Sequence, residues 1–348
     1  MLAPYQNLLV RALSTVKGVA MNKSHLSNCI LMLALVFAIF APTGKSKAAE
    51  GGAGFYLLGT KGSFAGILPP PGLYFTSDNY FYSGKASVSR PLPTLGGEFA
   101  LGLNADVFAS VNSLLLSTPT QFLGARTAFG VVVPVIDKTV RAGATLDLNG
   151  LALGASDKDK IGALGDPLLT AIMGWDSGNW HATLNFLLNI PIGVYELGAL
   201  ANAGFNRWGL DVTSAFTYFD PTTGFEVTAV PGLTFNGENR DSGYKTGTEF
   251  HLEFAALKHF SQQFALGVAG FHYQQITGDK GSALGDFKGR VTAVGPTLNF
   301  GFQLGSIPVA GKAKYFREFN EKNRLKGDVA LLQFAIPLAG ATAAPPPN

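Results

Sequence analysis

The sequence predicts an all-β chain: a transmembrane antiparallel up-and-down β-barrel, of twelve strands or alternatively fourteen, behind a Gly/Pro-rich N-terminal segment. Three observations predict it. The chain opens with an export leader, alternates apolar and polar residues with a period of two over most of its length, and places aromatic residues at the ends of the alternating rows.

The leader is read first. Residues 29–41, CILMLALVFAIFA, form an apolar run behind Lys23 and ahead of Ser46-Lys47-Ala48-Ala49. That is the charged, apolar and small-residue order of a secretory signal peptide, and the run is short for a membrane-spanning helix. We expect a signal peptide over 1–49, with 1–20 an over-extension ahead of Met21. Thr43-Gly44-Lys45-Ser46 matches the end of a phosphate-binding loop, but the required earlier glycine is Ile39. The single cysteine, Cys29, lies in the leader. A mature chain from about residue 50 therefore has no disulfide, thiolate metal site or cysteine nucleophile.

Composition agrees with strands. Hydrophobic residues make up 47% and charged residues 14%, with 43 Gly and 27 Phe. Aromatic and β-branched residues suit strands, and glycine marks turns and bulges. The formal charge of +3 counts five bases that precede residue 50. Without them 21 bases face 23 acids, a net of −2, so no basic footprint for nucleic acid remains.

The alternation is clearest in 178–190, GNWHATLNFLLNI. His181, Thr183, Asn185 and Asn189 share one face, and Trp180, Ala182, Leu184, Phe186 and Leu188 share the other. The pattern recurs with Arg207, Asp211, Thr213 and Thr217 in 205–219. It recurs with Glu226, Thr228, Thr234 and Asn236 in 225–236, and with Glu249, His251, Glu253 and His259 in 248–260. In 140–149 the polar row is Arg141, Thr145, Asp147 and Asn149. Trp180, Trp208, Tyr218, Phe225, Phe235, Phe250 and Phe260 stand near row ends, as in the aromatic girdles of outer-membrane barrels. A soluble sandwich also alternates, but with its apolar face inside.

Short turns at 136–138, 176–179, 221–224, 261–263 and near 305–307 alternate with longer connections. The expected strands are 98–117, 120–136, 138–153, 165–176, 179–193, 205–220, 223–237, 247–260, 262–277, 287–304, 307–318 and 325–338. The strand-like run Leu73–Tyr82 disturbs this count, and admitting it while splitting 98–117 gives fourteen. The expected division is a plug or leader segment over 50–97, a barrel over 98–338 and a disordered tail over 339–348. EGGAGFYLLGTKGSFAGILPPPG, 50–72, reads equally as a lumenal plug or as a leader into the first strand.

The region 51–338 resembles an outer-membrane barrel family named for the meta-cleavage pathway of phenol degradation. The stretches that carry it are GGAGFYLLG (51–59), LPPPGLYF (68–75), ALGDPLLT (163–170), GNWHATLNFLLNIPIGVYELG (178–198), FTYFDPTTGFE (216–226), GYKTGTEFHLEF (243–254), FHYQQITGDKG (271–281), LGDFKGRV (284–291) and KYFREFNEKNRLKGD (314–328). The resemblance implies passage of hydrophobic or aromatic compounds through an outer-membrane barrel. It is similar in kind to the fatty-acid and toluene transporters, which carry an N-terminal plug. The chain departs from the usual terminal aromatic, ending its last strand on Ile336-Pro337-Leu338.

The expected lumen and selectivity residues are Arg141, Asp147, His181, Asn185, Arg207, Asp211, Glu226, Glu249, His251 and Glu253. His272, Tyr273 and Gln274 are candidate ligand contacts at an external rim, and the charged stretch 317–328 reads as an external loop. Glu249, His251 and Glu253 fall two apart, about 6.6 Å between neighbours on one strand face. Such a row can share a metal, or it can be a lumen wall whose charges pair across strands; we expect the wall, with no metal and no cofactor. His181, Thr183 and Asn185 are similar in kind to the histidine, hydroxyl and asparagine of outer-membrane phospholipases. The hydroxyl here is a threonine and His181 adjoins a turn, so no catalytic residue is expected. The expected partners are outer-membrane lipid and a small hydrophobic or aromatic solute. A closed structural or adhesive barrel is the alternative to a channel, and an enzyme the third reading.

Overall fold

The computed structural model describes residues 54–92, 97–148, 151–281 and 288–340. The leader expected over 1–49 lies outside them, as do residues 341–348 of the expected tail. No helix among the described residues is long and apolar enough to cross a membrane.

Thirteen strands are described, in one sheet: β1 (Gly72–Leu92), β2 (Gly97–Phe122), β3 (Ala125–Leu148), β4 (Leu151–Leu164), β5 (Leu168–Ser177), β6 (Trp180–Asn189), β7 (Gly209–Asp220), β8 (Phe225–Asn236), β9 (Glu249–Ser261), β10 (Phe264–Gln275), β11 (Arg290–Leu304), β12 (Ile307–Lys322) and β13 (Lys326–Ala339). Neighbours pair antiparallel in chain order, and β1 pairs with both β2 and β13. The sheet therefore closes into a ring of twelve, which leaves no free edge around the ring.

The thirteenth strand, β4, is outside this ring and pairs with β3. β3 pairs with β5 through Arg126–Val132 and with β4 through Val135–Leu148. β4 and β5 run in the same direction and together act as one long partner, interrupted at Gly165-Asp166-Pro167. Pro134 on β3 faces this interruption and Pro167 ends it. Neither proline can donate to a ladder, so the pairing changes hands where donors are missing. The Pro134 carbonyl is still satisfied by the Gly165 N–H at 2.9 Å. Buried Asp166 then collects Asn189 Nδ2 (3.0 Å), Gly193 N–H (2.7 Å) and Phe205 N–H (2.8 Å), pinning the 190–206 connection over the break. β4 carries Asp157-Lys158-Asp159-Lys160, charges of the kind that guard an edge.

The predicted strand number is met by a different set of strands. Nine expected strands, from 165–176 to 325–338, match β5 to β13 within a few residues. The expected turn at 136–138 is absent, because β3 runs unbroken through it. Asp137 and Lys160 form a cross-strand ion pair at 3.2 Å on exposed strand, so charges that read as a turn are instead a wet stretch of ladder. The turn lies earlier, at Leu123-Gly124, where both residues take positive φ (51° and 74°) as a two-residue hairpin requires. In compensation, Gly72–Leu92 is a barrel strand rather than part of a segment ending at 97. Likewise β12 continues to Lys322, so most of the expected loop 317–328 is hairpin, with Arg317 paired to Asp328 at 3.0 Å.

The outward rows are apolar and exposed: Leu114 and Leu116 on β2, Phe129, Val131 and Val133 on β3, Phe216 on β7, Phe254 on β9, Leu266 and Val268 on β10. Trp180, Phe225, Phe260 and Phe264 cluster towards the short-turn end. A lipid-facing belt edged with aromatics is the solvation an outer-membrane barrel needs. The inward rows are buried, largely polar on β6 to β8 and mixed polar and apolar on β9 to β13. What buries them is the chain's own N-terminal segment.

Candidate functional site

Residues 54–71 enter the lumen and lead into β1 at the short-turn end. The segment has few ladder bonds of its own; its backbone groups are satisfied by side chains from the wall. They are satisfied in a polarised way. Over residues 59–63 its carbonyls face β11 to β13, where Lys314 Nζ donates to Gly59 O (2.9 Å), Thr60 O (3.2 Å) and Lys61 O. Gln333 Nε2 donates to Thr60 O (2.9 Å), and Lys312 Nζ to Ser63 O (2.6 Å). Asn299 Nδ2 donates to Ser63 Oγ at 2.7 Å.

Its donors face β7 to β9. The Gly59 N–H and the Tyr56 hydroxyl both reach Glu253 Oε1, at 3.1 and 2.9 Å. The Phe64 N–H donates to Glu226 Oε1 (2.7 Å) and Ser63 Oγ to Glu226 Oε2 (2.8 Å). The Gly66 N–H donates to Thr217 Oγ1 at 3.0 Å, while the Ala65 carbonyl accepts from Thr183 Oγ1 at 2.9 Å. Nearer β1, Arg126 holds the carbonyls of Leu68 and Pro69.

Packing fixes the path as well. Tyr56 and Leu58 join the apolar inner wall of Ala255, Leu257, Phe271, Phe316 and Leu331. Gly59 sits at φ +88°, and a Cβ there would lie 2.8 Å from the Phe316 ring, so only glycine turns the chain at this point. Phe64 takes φ +57°, uncommon for a residue with a Cβ. Its ring lies edge-on to Phe219 (5.2 Å) and near His259 (4.7 Å), contacts that hold the conformation.

The expected site residues divide by face. His181, Asn185, Arg207, Asp211, Glu226, Glu249, His251 and Glu253 share the inward side. His181 Nδ1 lies 2.6 Å from Asp176, and Asn185 accepts from Thr170 Oγ1 at 2.6 Å. Buried Arg207 donates to Asn236 through Nε (3.2 Å). Asp211 holds His251 Nε2 at 2.8 Å and accepts from Thr234 and Thr213. Glu249, His251 and Glu253 are all buried on one face, yet each has its own partners: Glu249 accepts from Tyr273 (2.6 Å) and Asn236 (2.9 Å). Glu249 and His251 are partnered by side chains of other strands, and Glu253 by Tyr56 and Gly59 of the N-terminal segment.

Arg141 and Asp147 stand apart. Both are exposed, on the same outward row of β3 as Phe129 and Val131, and Arg141 pairs with Asp106 at 2.6 Å. Here β3 pairs with β4, past its pairing with β5, and its opposite row carries buried Val140 and Leu146, so the polar row marks the exposed side rather than the lumen. Of the rim trio, Tyr273 points inward while His272 and Gln274 alternate outward, His272 to Thr292 Oγ1 at 2.9 Å. Unforeseen in the sequence were Lys312, Lys314, Asn299, Gln333 and Tyr56. Lys312 and Lys314 did carry a signal: two lysines two apart, spaced by alanine, on a strand.

A family described as "Putative MetA-pathway of phenol degradation" matches residues 88–334. No curated protein sequence matches the chain. Among solved structures, an outer membrane channel from Pseudomonas putida F1 is similar at 16% identity with a TM-score of 0.55, over 78% of this chain and 97% of that one. The translocator domain of the autotransporter NalP from Neisseria meningitidis shares 10% identity at a TM-score of 0.37, over 77% and 89%. A FadL homologue from Pseudomonas aeruginosa shares 10% identity at a TM-score of 0.34, over 84% and 97%.

Proposed function

The chain belongs to the family it matches over residues 88–334, and we propose that it is an outer-membrane channel for passive uptake of small hydrophobic or aromatic compounds. In this reading it reaches the outer membrane of a Gram-negative bacterium through a cleaved signal peptide, and it is not an enzyme. The observation that carries the reading is the lumen itself. A twelve-stranded ring is wider than its wall side chains alone fill, and here the remainder is taken by a segment held through reversible polar contacts. Such a filling can leave without unfolding the ring. The solved channel from Pseudomonas putida, similar in fold, supports the same reading.

The mechanism follows from the polarised grip. Residues 54–71 block the lumen while Lys314 and Glu253 hold them from opposite sides. A solute that competes for those groups, or thermal release, clears a path past them. Short-turn ends of such barrels face the periplasm, so release is on that side. The test is reconstitution in liposomes. We expect ion conductance and faster uptake of toluene, phenol or a fatty acid than in protein-free vesicles; neither conductance nor uptake would sink the reading. A closed structural barrel is the second reading, favoured by the same filled lumen. It predicts that loosening the segment opens nothing.

A further inference from the structure

Tyrosine hydroxyls meet carboxylates repeatedly inside this barrel. Tyr82 donates to Glu318 (3.2 Å), Tyr273 to Glu249 (2.6 Å), Tyr244 to Asp279, and Tyr56 to Glu253 (2.9 Å). Tyr82 and Tyr273 sit on wall strands and Tyr244 on the connection between β8 and β9. Tyr56 alone of the four sits on the removable segment. Its side chain is chemically a para-substituted phenol. Its ring stacks on His251 at 3.7 Å between centroids and 20° between planes.

We propose that the Tyr56 position is a phenol-binding subsite, with Tyr56 its internal occupant and competitor. Glu253 accepts the hydroxyl and the His251 ring supplies the stacking face. Both belong to the wall, and both stay when the segment leaves. His251 is built to stay in place: Asp211 holds its Nε2, and Thr213 and Thr234 hold Asp211 in turn. Gly232 opposite it makes the room, since a Cβ there would lie 2.3 Å from the imidazole. A stacking ring fixed in advance costs little ordering on binding. The Nδ1 of His251, a residue 1% exposed, has no hydrogen-bond partner among the described residues. A buried polar atom in that state calls for a water or a ligand. The subsite therefore selects hydroxylated aromatics over hydrocarbons of the same shape, because only the former satisfy a buried carboxylate.

The proposal rests on the channel reading for its purpose, but binding can be measured without transport. The full chain in detergent micelles is titrated with 4-fluorophenol and with fluorobenzene by fluorine NMR, as wild type and as Tyr56→Ala. Gel mobility before and after boiling confirms assembly, and Tyr56→Ser is the second variant if the alanine form fails to assemble. We expect Tyr56→Ala to bind 4-fluorophenol about tenfold more tightly than wild type and about tenfold more tightly than fluorobenzene, the factor one charge-assisted hydrogen bond supplies. Adding Glu253→Gln should collapse that preference. Equal binding of the two probes, or no gain over wild type, overturns the subsite. Solute flux in liposomes is read separately. Flux without the binding preference removes only the subsite, whereas preference without flux leaves the subsite standing and removes the channel.

Discussion

The two faces of the lumen hold the same segment in different ways. On one, Lys314 spends its ammonium on carbonyls of residues 59–61, its hydrogen bonds among the described residues. On the other, Glu226 divides itself: Ser63 and Phe64 share it with Thr228 (3.0 Å) and His259 (2.7 Å), which belong to the wall. Glu253, although on that second face, resembles Lys314: its bonds go to Tyr56 and Gly59, both on the segment. The difference teaches which contacts fasten the segment and which fasten the barrel. A group committed to the segment changes gating when it is lost, and a shared group changes wall stability as well.

Substitutions break this comparison in a definite order. Lys314→Met should act most strongly. It removes several charge-assisted bonds worth together about 3 kcal/mol, which moves the closed-to-open balance roughly a hundredfold. Steady conductance in planar bilayers reads this directly. Glu253→Gln keeps the shape but weakens two hydrogen bonds to one acceptor oxygen, and should raise open probability about tenfold. Ser63→Ala removes a hydroxyl that donates to Glu226 and accepts from Asn299. At about 1 kcal/mol it should give about a fivefold change, with little loss of thermal stability. Arg141→Ala should do least. Its pair with Asp106 is about half exposed and faces away from the lumen, so conductance, ion selectivity and melting temperature should all stay at wild-type values. A selectivity change in that variant would move Arg141 back into the pore.

The same geometry explains what the sequence made legible. On β6 to β9 one face meets lipid and the other a polar interior, so alternation names both, and His181, Asp211, Glu226 and His251 fall where the period puts them. On β3 the rule inverts past Val135, where the strand pairs with β4: Val140 and Leu146 are buried on one row, and Asp137, Arg141 and Asp147 are exposed on the other. There Asp137 reads as a turn and Arg141 as lumen, for one physical reason. β1 was half legible: the run Leu73–Tyr82 reads as strand, but Gly72–Leu92 carries Ser, Asp and Asn among its aromatics and follows directly on the segment that fills the lumen. The segment's own contacts were illegible since they run mostly through backbone carbonyls and N–H groups, which every residue carries. Only the lysine pair 312 and 314 hinted at what receives them.

The central claim is that residues 54–71 close the lumen and can leave it. Ser63 Oγ and Asn299 Nδ2 lie 2.7 Å apart, one on the segment and one on β11. Cys29, the sole cysteine of the chain, precedes both and is changed to serine in the test protein. In Ser63→Cys, Asn299→Cys protein, an oxidised pair should pin the segment and hold liposome uptake at the protein-free level. Reduction should then restore uptake in the same vesicles. Equal uptake before and after reduction, with the disulfide verified by mass, would contradict the account.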